Sequence, residues 1–80
     1  MEVYQEVYLL SDLPAKQLHR GDVAVLVEVV PHPKGGEQGA VLEIFNALGE
    51  SVDVVTVPLS LVAPLCADQV PTVRPVLAVA

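Results

Sequence analysis

Between Val3 and Leu10, the residues Val3, Gln5, Val7 and Leu9 alternate with Tyr4, Glu6, Tyr8 and Leu10. A period of two predicts a first strand with one or both faces largely covered. The segment SDLPAKQLHRG breaks the alternation. Ser11 and Asp12 are turn formers and Pro14 fixes its own φ, so a long loop with room for one helical turn is predicted. Its apolar anchors, Leu13 and Leu18, are expected to fold back over the end of the sheet. Asp22 to Val30 gives a second strand in which, after Asp22, Glu28 alone is charged. Such a run predicts burial on both faces or a path curved round a small barrel. Pro31 and Pro33 end it, since neither donates to a ladder.

HPKGGEQG, with three glycines, reads as a flexible connection. AVLEIF follows as a third strand, with Val41 and Glu43 on one face and Leu42 and Ile44 on alternating sides of a bend. NALGE then predicts a tight hairpin, because Gly49 takes the positive φ that a type I turn with a G1 bulge requires. Ser51 to Val57 is the fourth strand and Pro58 its stop. LSLV is short enough for one 3₁₀ turn, and Ala63 to Cys66 is expected to pair with the first strand. The fold class predicted is all-β, a small five-stranded SH3-like barrel over residues 1–66, closed so that no edge is left exposed. Residues 67–80 form an apolar, proline-containing tail.

Composition narrows the picture. Eighty residues fit one domain, and the core has to be aliphatic, since Trp is absent and Phe45, Tyr4 and Tyr8 are the only aromatics. Ten Asp and Glu stand against four Lys and Arg, a formal net charge of −6. With Lys16, Arg20, Lys34 and Arg74 scattered, a phosphate backbone would be repelled, and nucleic-acid binding is not expected. Cys66 is the single cysteine, which precludes an internal disulfide and fits a reducing cytoplasm. MEVYQEVYLL carries acids where a signal peptide carries Lys or Arg, and no apolar run is long enough to cross a bilayer as a helix; neither secretion nor a membrane partner is expected.

Taken in order, SDLP in the first loop, L-x-x-G-D-V into the second strand, LEIFNALGE and VVTVPLSLVAPL resemble DUF4926, a small bacterial family of unknown function with an SH3-like barrel. The resemblance runs from about Val3 to Leu65. It departs at Ala24, where the family commonly has a second glycine, and in the added segment after Leu65. The resemblance implies a fold and no assigned activity, so no catalytic residue is carried over.

Side chains able to do chemistry are few. His19 and His32 lie in loops without a Cys, Asp or His at ligand spacing, so bonds to solvent or backbone are their expected role and no metal site is predicted. Cys66 is expected as a small buried hydrophobe at the last strand. Glu43 and Asp53 are expected to face one another across the hairpin as solvated carboxylates, not as a catalytic pair. KGGEQG lacks the glycine order and following helix of a phosphate cradle, and no cofactor is expected. Arg20-Gly21-Asp22 spells an integrin-binding tripeptide by chance.

The tail invites a sharper expectation. Val70, Val73, Val76, Leu77 and Val79 are spaced with Pro71 and Pro75, which exclude both a helix and a central strand. An extended aliphatic segment suits a sheet edge or a partner's groove, or it covers its own barrel. The expected function is that of a non-catalytic protein-binding module, an accessory or antitoxin-like subunit of a partner encoded nearby. Tyr4, Tyr8, Leu13, Leu18, Val73, Val76 and Leu77 are the expected contact residues. The alternatives are a homodimer formed through the tail and, less favoured, an enzyme.

Overall fold

The computed structural model describes residues 1–32 and 34–76. Pro33, Leu77 and Val79, on which expectations above rest, lie outside the described residues. The chain forms five antiparallel strands: β1 (Glu6–Leu9), β2 (Val23–Val30), β3 (Gly39–Phe45), β4 (Ser51–Pro58) and β5 (Val62–Pro64). They make one sheet in the order β4-β3-β2-β1-β5. Two 3₁₀ turns, Pro14–Lys16 and Leu59–Leu61, stand where single turns are predicted. Among the described residues no helix is long and apolar enough to cross a membrane.

The two ends of this sheet are β4 and β5, yet only the turn Leu59–Leu61 separates them in sequence. Five flat strands would hold their outer members about 19 Å apart, at about 4.8 Å per step. A 3₁₀ turn advances only about 2 Å per residue, so the sheet has to curl to bring the ends together. Curling does not join them. β4 pairs with β3 and β5 with β1, and neither pairs with the other, so the closure that would have removed both edges is not made.

Inside the curl lies one aliphatic core of Val7, Leu9, Leu18, Ala24, Leu26, Ala40, Leu42, Val55, Val57 and Val62. β2 buries Ala24 and Leu26 while Val23, Val25 and Val27 stay half-covered, so the strand has one inner face and is not buried on both. After Leu26 the register slips by one residue against β3, and Val27 is the extra residue. The bulge turns Glu28 outward and returns Val29 to the core. No slip occurs at Ala24, which pairs with Val7 in unbroken register. On β3, Leu42 is fully buried and Ile44 packs on the same core; the two share a face instead of dividing across a bend.

The long loop is tied down at both ends. Leu13 and Leu18 exchange backbone bonds of 2.9 and 3.1 Å, the Arg20 amide donates to Asp12 Oδ1 at 2.8 Å, and the Gly21 amide to the Leu9 carbonyl at 2.8 Å. The glycine-rich connection is also anchored in part. Glu37 Oε2 accepts the Ser60 amide and the Gln38 carbonyl accepts the Leu59 amide, fixing this loop to the turn between β4 and β5.

Candidate functional site

The segment after β5 returns to the body of the domain. Arg74 reaches Asp22, at the start of β2, through Nε to Oδ1 at 2.9 Å and through Nη2 to Oδ2. A planar guanidinium meeting a planar carboxylate at two points fixes direction as well as distance. Asp22 Oδ2 also accepts the His19 amide at 2.8 Å. Partial burial pushes the Asp22 carboxyl up, but the Arg74 hydrogen bond, the His19 amide and the cationic charge of Arg74 outweigh it and hold the carboxyl below its ordinary value. The same pairing raises Arg74. With its carboxylate engaged in this way, Asp22 is not free to act in an Arg-Gly-Asp recognition motif.

Held there, the tail forms one wall of a cleft of about 390 Å³, with Asp22 and Leu18 on a second side and Phe45 and Val52 of the hairpin on a third. While Arg74 turns inward, the valines around it turn out: Val70 is 84%, Val73 93% and Val76 61% exposed. Pro71 and Pro75 fix their own φ and bias Val70 and Arg74 away from helical angles, so this stretch is extended by local sterics.

The hairpin and β4 add further exposed apolar side chains. Asn46 organises the turn: its Oδ1 accepts the amides of Leu48 and Glu50 at 3.0 Å each, and its Nδ2 donates to Glu50 Oε1 at 2.9 Å. Gly49 has φ 82°, as the G1 position demands. Leu48, at the tip, is 85% exposed, and Phe45, Val52 and Val54 are also exposed. Sequence reasoning assigned none of these four to a contact surface; the signal available was an apolar tip where a hairpin normally carries polar residues.

Along β4 the backbone has an inner and an open side. The Val54 amide donates to Asp53 Oδ1 at 2.8 Å and so points away from β3. Because alternate residues of an antiparallel strand bond to the same neighbour, Val55 and Val57 address Leu42 and Ala40 on β3. Val54 and Thr56 therefore present their main-chain groups outward. Pro58, next in the series, has no N–H to present.

The residues singled out from sequence do not form one surface. Tyr4 is exposed, on a backbone with φ 68°. Tyr8 is half-buried on the outer face, opposite Val23 and Ala63. Leu13 packs on the core from the loop. Leu18 is buried at 5% exposure, its side chain inside the core and unable to meet a partner. A groove shared by Tyr8 and Leu18 is thereby removed, because the two lie on opposite sides of the sheet. Val73 and Val76 stand at the surface as expected.

Other expectations change too. Cys66 is exposed beyond β5, with its amide on Gln69 Oε1 at 2.8 Å, and is not a buried hydrophobe. Glu43 pairs with Val54 and Asp53 with Ile44, which puts the two carboxylates on opposite faces of the hairpin. His32 accepts the Lys34 amide at Nδ1, 3.0 Å, the backbone role expected of it. Comparison with protein-family models, with curated proteins and with solved structures finds no match for this chain.

Proposed function

We propose that this chain is a non-catalytic module that binds another protein, acting in the cytoplasm as an accessory or antitoxin-like subunit. One observation carries the reading: Arg74 fastens the tail to the domain while Val70, Val73 and Val76 face solvent. A tail that served only to cover its own sheet would turn its aliphatic side chains inward and leave the cation in water. Here the order is reversed, and the strip lies beside the exposed Phe45 and Val52. An SH3-like barrel of the DUF4926 type belongs to the same reading. The strand order and the curl imposed by Leu59–Leu61 support it.

Copurification from the native host with tagged full-length chain, wild type against Val73→Asp with Val76→Asp, tests the reading. A protein retained in stoichiometric amount by wild type and lost with the double variant is the expected result; equal retention by both would overturn the tail's role. The same exposed valines favour a second reading, a homodimer through the tail. Light scattering behind size exclusion decides between them, since a dimer that the double variant converts to monomer supports self-association.

A further inference from the structure

The open side of β4 carries main-chain groups that no other strand among the described residues pairs with, and the stretch of sequence that carries it is acidic. From Gly35 to Val73 the sequence has no Lys or Arg, while Glu37, Glu43, Glu50, Asp53 and Asp68 fall within that stretch. Resting on the protein-binding reading above, we propose that β4 takes an extended segment of the partner protein as a sixth strand, and that this segment carries Lys or Arg opposite Asp53.

Asp53 does two things in this scheme. In the free protein its carboxylate occupies the Val54 amide, the first outward donor of the edge. An incoming strand brings a carbonyl to that amide, and the carboxylate swings free to meet the cation across from it, about 5 Å away between Cβ atoms. Donor and acceptor are each satisfied before and after. Val54 and Thr56 supply the outer-face contacts, so the added strand sets apolar residues opposite them and its cation opposite Asp53 on the other face. Its pairing ends at Pro58, where no N–H is available.

A second copy of the chain fits this edge poorly. Pairing two β4 strands about Val54, with both cores on the same side, makes the two Asp53 carboxylates diagonal neighbours at about 7–8 Å. The net charge of −6 on each copy opposes the same encounter at longer range. A cationic strand meets neither penalty.

The test uses the full-length chain labelled with nitrogen-15 and two acetylated octapeptides, one alternating valine and lysine, the other valine and glutamate. At millimolar concentration the lysine peptide is expected to shift the Val54 and Thr56 amides and slow their exchange with solvent, and the glutamate peptide to do neither. Thr56→Pro removes an outward N–H without taking a bond from β3, and should lose the response. Asp53→Lys, which keeps every strand residue able to donate, should reverse the preference in favour of the glutamate peptide. No change at Val54 and Thr56, or equal responses to both peptides, would overturn the proposal. The outcome is separable from the broader reading: if β4 stays silent while the tail variant still loses a copurifying protein, binding stands and strand addition falls.

Discussion

Arg74 grips both carboxylate oxygens of Asp22, fastening residue 74 to the residue just before β2 across fifty-two positions of sequence. The Arg74 side chain is one-third exposed and that of Asp22 16%, so water screens the pair in part. Arg74→Ala is expected to lower unfolding stability by about 1 kcal/mol, the upper end for partly exposed pairs, because Asp22 keeps its burial and loses its partner. Urea denaturation measures this. Hydrogen exchange at Val73 and Val76 should rise in the same variant, which separates release of the tail from a general loss of stability.

That pairing also sets a dependence on acid. The folded Asp22 carboxyl lies below its ordinary value of 3.8, and the Glu37 carboxyl lies below its own ordinary value of 4.5, lowered first by the Ser60 hydroxyl and then by the Ser60 amide. A carboxyl depressed on folding contributes stability that is fully present above its unfolded pKa and is lost as pH falls through the folded one. Stability should therefore be flat from neutral pH down to about 5 as far as these two groups are concerned, and should fall below about 4. In Asp22→Asn the fall should be shallower. Thermal unfolding followed between pH 2 and 7 gives the comparison.

At the hairpin, Asn46 and Gly49 make separable contributions. Gly49→Ala meets no neighbouring atom within 4 Å, so its whole cost is the left-handed backbone, about 1 kcal/mol. Asn46→Ala removes three side-chain bonds at once and should cost about 1–2 kcal/mol. Chemical denaturation of the two single variants and their double tests this, and the pair should be less than additive because both act on one turn.

Much of this architecture is legible in local chemistry. Pro31, Pro58 and Gly49 mark where strands stop or reverse because each acts through its own backbone, and such effects need no knowledge of the rest of the chain. The faces of β2 and β3 were harder to read. Where almost every residue is Val, Leu or Ala, alternation carries little signal, and a one-residue slip such as that at Val27 exchanges the inner and outer sets. Leu18 could be assigned to a loop with ease, but its burial depends on a core assembled from all five strands. The acidic, cation-free stretch around β4 was countable from the start. Its meaning depended on knowing that β4 is an edge.

Cys66 gives a direct check on the chain's path beyond β5. Its thiol is exposed past the end of β5. Alkylation by iodoacetamide in native buffer should proceed at nearly the rate seen in 6 M guanidinium, within about threefold, whereas a buried thiol would be slowed in proportion to the stability of the fold. Mass spectrometry of quenched samples follows the reaction.

The pairing of β5 with β1 has a consequence for the order in which the molecule assembles. β2, β3 and β4 are joined by short connections and can zip together as successive hairpins, but Val7 has to find Pro64, and Leu9 has to find Val62, across nearly the whole length of the domain. The slowest step of folding is then the last-made strand meeting the first, with loop-closure entropy as its barrier. On a ribosome the same geometry makes β1 wait. Until the codons for Val62 to Pro64 have been read and those residues have cleared the exit tunnel, the N-terminal strand has one neighbour and a bare flank, and a nascent chain stalled before that point is open to any other strand within reach.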